Sequence, residues 1–262
     1  MEKGTVYLVG AGPGDPKLIT LRGLECIQAA DVIIYDRLVN PDLLNHARKN
    51  AENIYCGKLP NDHTLRQEEI NQLLVSKAME GKTVTRLKGG DPSVFGRVGE
   101  EAKELAKFEI PFEIVPGITS GIAAAAYAGI PVTHRDYASS FAIVSGHGRS
   151  DSDIAGDRIN WKALADGIDT IAFYMGASNL FNICDQLIKY GRDPMTPVAL
   201  IQWGTTSEQK TLVGTLENIH EKAQKQQFSH PAIILVGEVV KLRDELHWFE
   251  KRQQFTLKAG LN

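Results

Sequence analysis

Six cations, Arg37, Lys58, Arg86, Lys88, Arg97 and Arg135, stand within or beside the ends of short apolar runs. Asp36 and Lys58 each close such a run. Cations gathered where strands end, in a chain of net charge −3, suit a small polyanionic substrate held by charge-assisted hydrogen bonds. Taken singly, each is equally a solvated surface charge. An Asp and a Lys near one another can shuttle protons if burial and pairing tune them, or can form a structural ion pair. The residues alone leave both open. Glu100 and Glu101 follow Arg97 at the start of a helical pattern, and Glu101 reads best as a partner of the helix dipole. His134, in PVTHRD, has no second histidine at ligand spacing, so a hydrogen-bonding role is favoured over a metal. No metal site, serine nucleophile elbow or Walker loop is expected.

Two glycine-rich loops follow apolar runs, GAGPGDP after Val6–Val9 and GGDP after Thr83–Lys88. An apolar run emptying into glycines reads as a buried parallel strand ending at the ligand-binding edge of an α/β sheet. Adjacent in one parallel sheet, the two loops would floor one pocket. The first has G-x-G-x-G spacing, not the G-x-G-x-x-G of a dinucleotide fingerprint. Asp36 nevertheless lies where such a fold's acid would meet a ribose, so a dinucleotide-dependent oxidoreductase is a rival. Against it, Pro13 has no N–H to offer a pyrophosphate, and Asp15-Pro16 interrupts entry to the following helix. An adenosine ligand without phosphates suits the loop better, and an ordinary strand-to-helix turn is the bland alternative.

The elements that must position these residues alternate. Strand patterns at Val6–Val9, Val32–Asp36, Asn53–Lys58, Thr83–Pro92 and Phe112–Val115 are separated by helical patterns at Leu18–Ala30, Arg66–Glu80 and Arg97–Phe108. That alternation implies a parallel α/β sheet. After Pro116-Gly117 an alanine-rich helix, Ile118–Ala128, precedes strands at Phe141–Val144, Thr170–Tyr174, Val198–Ile201, Thr211–Val213 and Ala232–Val236, with helices at Leu180–Tyr190 and Leu216–Gln224. The expected division is residues 1–115, residues 118–242 and a peripheral tail, 243–262. Gly146–Asp157 is polar and reads as a surface loop.

The totals bound the classes. At 43% apolar and 23% charged residues the composition is that of a globular protein. The slight net acidity argues against bulk attraction to nucleic acid or an anionic membrane. Three scattered cysteines argue for a reducing compartment and against a disulfide framework. The opening residues lead straight into a strand, and the longest nearly apolar run, Gly121–Val132, is too short to cross a bilayer. A cytoplasmic protein is expected.

In order, VYLVGAGPGDPKLITLRG, YDRLV, RLKGGDPSVFGR, VPGITS, PVTHRD, FYMG, ALIQWGTTSEQ and PAIILVGEVV resemble the uroporphyrinogen-III C-methyltransferases of the tetrapyrrole methylase family, over nearly the whole chain. The resemblance implies that family's two-domain α/β fold, each domain a mainly parallel or mixed sheet flanked by helices, with the active site in the inter-domain cleft. It implies S-adenosylmethionine as methyl donor, S-adenosylhomocysteine as its product, no metal, and a homodimer. The implied reaction is methylation of a tetrapyrrole at two pyrrole carbons to give precorrin-2. A sibling precorrin methyltransferase is the nearer alternative, and a non-catalytic ligand-binding protein on the same scaffold the more distant one. By motif, Pro13, Gly89, Gly90, Asp91, Val94, Thr119, Ser120, Met175, Gly204 and Ala232 would line the cofactor site. Asp36 and Lys58 match acid–base positions, with Glu100 a further candidate base. Arg37, Arg97 and Arg135 match substrate positions. Val98 and Ser145 depart from the pattern, replacing a usual glycine and a usual threonine.

Overall fold

A computed structural model describes residues 2–57, 66–146 and 159–252. Lys58 and the polar stretch Gly146–Asp157, apart from Gly146 itself, lie outside the described residues. The chain divides into two compact units, Met1–Thr119 and Ser120–Asn262.

Unit 1 runs β1 (Val6–Gly10), α1 (Leu21–Ala29), β2 (Val32–Tyr35), β3 (Glu52–Tyr55), α2 (Gln67–Met79), β4 (Val84–Lys88), α3 (Val98–Lys107) and β5 (Phe112–Val115). Its five strands pair in parallel in the order β3-β2-β4-β1-β5. The apolar runs read as continuous because both faces of the sheet are covered, as an all-parallel sheet requires. One face, with Val6, Leu8, Ile34 and Val84, packs on Ile70 and Leu74 of α2 and on Val98 and Leu105 of α3. The opposite face, with Val9, Ile33, Leu87 and Val115, packs on Cys26 and Ile27 of α1 and on Leu43. Helix α1 starts where the Thr20 hydroxyl accepts the Gly23 N–H at 3.0 Å, a standard N-cap.

Unit 2 runs α4 (Ser120–Tyr127), β6 (Phe141–Ser145), α5 (Trp161–Gly167), β7 (Thr170–Tyr174), α6 (Leu180–Lys189), β8 (Pro197–Gln202), β9 (Lys210–Thr215), α7 (Ile219–Lys225), β10 (Ala232–Val236) and α8 (Arg243–Leu246). Its sheet is mixed, in the order β6-β7-β10-β8-β9. Only the β6–β7 pair is parallel, and β10 enters between β7 and β8 antiparallel to both. Trp161, Ile183, Leu187 and Ile219 from α5, α6 and α7 pack on Phe173, Val198 and Ile234. The alternate residues of the strands face α4, whose buried alanines allow a close approach. Beyond α8, the Trp248 indole donates to Ala126 O at 3.0 Å and its ring lies 5.0 Å from that of Tyr127. Helix α5 was not expected from the sequence. Asn160 starts it by accepting the Ala163 N–H at 3.1 Å.

All three cysteines are buried and free. Burial pushes the Cys26 thiol up to about 11 and the Cys184 thiol up to about 12, and raises that of Cys56. Among the described residues, no helix is long and apolar enough to cross a membrane.

Entry to β6 and β7 is fixed by one carboxylate. Asp169 accepts the Ser139 and Ser140 N–H groups at 2.8 and 3.0 Å and both hydroxyls at 3.1 and 3.0 Å. These bonds favour the ionised form and hold its carboxyl below the usual carboxylate range. The stabilisation is therefore fully present above the unfolded carboxylate's titration and disappears as pH falls through the lower folded value. Asp169→Asn is expected to lose roughly 1–2 kcal/mol at neutral pH. In denaturant melts its gap from wild type should narrow as pH drops below about 4.

Candidate functional site

The carboxyl edge of the parallel sheet is built by loops that bond to one another. Beyond β1 and β4, Gly12 and Gly90 form a two-way backbone pair, Gly12 N to Gly90 O at 3.2 Å and Gly90 N to Gly12 O at 2.7 Å. The loop after β5 joins them, because the Asp91 carboxylate accepts the Gly117 N–H at 2.9 Å with one oxygen and the Ser93 N–H at 2.7 Å with the other. The loop after β2 closes the set, with the Asn40 amide donating to Gly14 O at 2.7 Å. The glycine loops expected to floor one pocket are thus hydrogen-bonded neighbours.

The glycines serve chain-to-chain contact. A Cβ on Gly10 would sit 2.6 Å from Gly117 Cα and 2.7 Å from Gly90 O, and one on Gly89 would sit 2.8 Å from the Leu38 Cβ. Gly90 adopts φ +71°, in the left-handed region. The sequence suggests clearance for a ligand, whereas at Gly10 and Gly89 the approaching atoms are the protein's own.

This edge places the unit-1 candidates. Pro13 and Val94 are half-buried in the loops after β1 and β4, and Asp91 is held between its two N–H donors. Asp36 follows β2, its carboxyl 30% exposed and 3.5 Å from the Arg86 guanidinium. Its other oxygen accepts the Leu38 N–H at 3.1 Å. Arg37 is exposed beside it. Arg97 stands at the start of α3 at φ +58° and grips Glu100 with two bonds of 2.8 and 2.6 Å. That bond holds the Glu100 carboxyl below its ordinary range, and Glu100 faces Arg97 rather than Asp36. Val98, the departure from the family pattern, is buried in the core shared by α2 and α3, which leaves Arg97 outward. Thr119 is the buried last residue of unit 1.

In unit 2 the candidates gather at one end of the mixed sheet. Met175 follows β7 at φ +56° and is 52% exposed. Gly204 follows β8 between Trp203 at φ +48° and Thr205 at φ +71°, packed on the Ala124 methyl. Ala232 opens β10, paired with Gln202, and Trp203 N donates to Pro231 O at 3.2 Å. Ser120 begins α4, where the next N–H, of Gly121, donates to the Tyr174 hydroxyl. Arg135 is exposed in a turn closed by His134 N to Ala138 O and Ala138 N to His134 O, both 2.9 Å. The His134 Nδ1 accepts the Asp136 N–H at 3.2 Å, a hydrogen-bonding role. Among the described residues, no group of three or more His, Cys, Asp or Glu is placed to hold a metal ion.

Three charges were misjudged from sequence. Arg86 and Lys88 lie inside β4, each 4% exposed, and Glu101 is fully buried. Lys88 Nζ donates to Glu101 Oε1 at 2.7 Å and Arg86 Nε to the same oxygen at 3.3 Å. Glu101 is thus the counter-charge of a buried cluster and more than a dipole partner. Burial and the neighbouring Arg86 cation lower the Lys88 ammonium from its ordinary value, opposed by Glu101. One signal was readable. Arg86 and Lys88 are two apart in a run that had to be buried, so both point to one face and need an anion there.

Tetrapyrrole (corrin/porphyrin) methylases as a family match residues 5–220. A uroporphyrinogen-III C-methyltransferase of Priestia megaterium is 63% identical over 237 residues, covering 90% of this chain and 98% of that one. A siroheme synthase of Ectopseudomonas mendocina is 52% identical over 95% of this chain, which spans 53% of that longer protein. Among solved structures, the uroporphyrin-III C-methyltransferase of Thermus thermophilus complexed with S-adenosyl homocysteine is 38% identical with a TM-score of 0.76, covering 91% of this chain and all of that one. From the residues matched and the fold they build, this chain belongs to the tetrapyrrole methylases.

Proposed function

We propose that this chain methylates uroporphyrinogen III at two pyrrole carbons, C2 and C7, with S-adenosylmethionine as donor, giving precorrin-2 by way of precorrin-1 for sirohaem or cobalamin synthesis. What carries this reading is the carboxyl edge of unit 1, where four loops are tied together by the Gly12–Gly90 backbone pair and by the Asn40 and Asp91 side chains, with Asp36 beside them. That edge suits an adenosine ligand lacking phosphates. Thr20 already caps the α1 N-terminus, Pro13 offers no N–H, and the Ser93 and Gly117 N–H groups are taken by Asp91. The Gly12, Lys17 and Gly23 N–H groups around that loop are already taken within the chain, which disfavours a diphosphate there. The dinucleotide alternative fits these residues poorly.

Pro13, Gly89, Gly90, Asp91, Val94 and Thr119 are proposed as the cofactor-lining residues of unit 1, and Ser120, Met175, Gly204 and Ala232 as those of unit 2. When bound, S-adenosylmethionine supplies an electrophilic methyl group on sulfur. The chain's own residues position the tetrapyrrole and handle its proton. The exposed Arg37, Arg97 and Arg135 hold substrate carboxylates, and at Arg97 a substrate carboxylate replaces Glu100 as partner. The attack leaves a cationic azafulvene-like ring, and Asp36 takes the proton that this ring must lose to become neutral. Lys58 and Glu100 are the further acid–base candidates. We place the enzyme in the cytoplasm as a homodimer, acting without a metal, nucleic acid or membrane partner.

Anaerobic incubation with uroporphyrinogen III and S-adenosylmethionine tests the whole, and absence of a dimethylated product would reject it. S-Adenosylhomocysteine should raise the melting temperature, and Gly90→Val should abolish that rise, since a branched residue strains the left-handed backbone paired with Gly12. Arg97→Ala should still bind S-adenosylhomocysteine but lose about tenfold or more in turnover, the usual size of a lost charge-assisted contact. Asp36→Asn should bind both ligands nearly normally while single-turnover methylation slows by roughly a hundredfold or more. Weakened binding with an intact chemical step would instead make Asp36 a purely structural partner of Arg86.

A further inference from the structure

Given Asp36 as the proton acceptor proposed above, we infer that the buried Glu101 is a positioning residue for it, setting from inside unit 1 the charge that Arg86 presents to Asp36.

The connection is direct. Arg86 bridges the two carboxylates, with Nε on Glu101 Oε1 at 3.3 Å and a terminal nitrogen 3.5 Å from Asp36 Oδ2. Its remaining bonds fix the guanidinium, one nitrogen donating to Ile34 O at 3.3 Å and Leu87 O at 2.8 Å. Lys88 converges on the same Glu101 oxygen at 2.7 Å, and the uncharged Gln67 of α2 donates there at 3.3 Å. From the end of β3 the cluster is faced by Cys56, whose thiol burial keeps neutral. Toward the α3 N-terminus stands the exposed Arg97–Glu100 pair.

Charge decides the effect. The cations Arg86 and Lys88 are balanced by the anions Glu101 and Asp36. When Asp36 accepts a proton the cluster gains one net positive charge, which a poorly solvated site resists. With Glu101 absent the cluster would begin at that excess and end at twice it. Asp36 would then be held as an anion against Arg86 and would be a weaker acceptor. Glu101 therefore keeps Asp36 both placed and basic, while touching neither substrate nor cofactor.

The test is single-turnover methylation of uroporphyrinogen III by the full chain across acid to neutral pH, comparing wild type, Asp36→Asn, Glu101→Gln and Glu101→Asp. Glu101→Gln is expected to bind S-adenosylhomocysteine and to slow the chemical step at least tenfold. Its acid limb should move to lower pH by about one unit, for a charge lost near the acceptor in a partly solvated site. Glu101→Asp should bring the limb back toward wild type. A wild-type limb lost in Asp36→Asn and unmoved in Glu101→Gln overturns the positioning role alone. No wild-type turnover, or a limb that survives in Asp36→Asn, overturns the assignment of Asp36 and the positioning role with it. Should Glu101→Gln fail to fold, Glu101→Gln with Lys88→Met removes one charge of each sign. That double variant must then keep the wild-type limb, and a displaced limb overturns the role.

Discussion

The structure of unit 1 depends on backbone meeting backbone at Gly10, Gly90 and Gly117. These residues lie at the ends of, or just beyond, three adjacent strands, and a single added methyl at Gly10 would enter the van der Waals space of the neighbouring chain. Because the loops touch there, Gly12 and Gly90 can satisfy each other's hydrogen bonds and Asp91 can reach the Gly117 N–H. Strand ends that would otherwise be four separate loops become one surface. A site resting on such a surface inherits the rigidity of the sheet, which suits a reaction that depends on positioning more than on covalent chemistry.

Backbone strain follows the same geography. Of the non-glycine residues at positive φ, Glu109 and Gln227 simply follow helices. Phe95, Arg97, Met175, Trp203 and Thr205 lie in the loops that carry the family's motifs. Left-handed conformations cost energy for residues with a Cβ, and they persist where surrounding structure dictates them. In unit 2 the supports are visible, with Gln209 Oε1 accepting the Thr205 N–H at 2.7 Å and the Thr206 hydroxyl donating to Trp203 O at 2.7 Å. Unit 1 adds a different device, ionic groups in its interior, whose four charges cancel only as a set.

Much of this was legible in the residues. Strand patterns in the sequence located every strand, several of them apolar runs emptying into glycine, and the alternation with helices in unit 1 dictated a parallel sheet. Strand direction in unit 2 was not legible, since β10 reads as an apolar run whichever way it enters the sheet. Helix α5 was missed because it is two turns long, follows a polar stretch, and gains its place from Trp161 stacking on Phe173 at 6.0 Å. Arg86 and Lys88 were misread because a charge near a strand's end looks like a charge beyond it. Their two-residue spacing in a buried run was the available signal, and the Cα register, pairing Arg86 with Leu8 and Ile34, puts them in the core. The motif residues were identified by resemblance, and the physical role of Asp91 became visible only when its partner Gly117, far along the chain, was in place.

The three sequestered thiols have a practical consequence. Cys26 and Cys56 report on the two faces of the first sheet, and Cys184 on the helical layer of the second. Neutral and shielded, they resist alkylation and air oxidation in the folded protein. Any thiol that reacts must first be released by opening of its own layer. A maleimide chase followed by peptide mass analysis would therefore rank the opening free energies of three separate layers in one unmodified chain. Because none of the three is in a disulfide, strong reductant leaves the protein's covalent structure unchanged during such a chase.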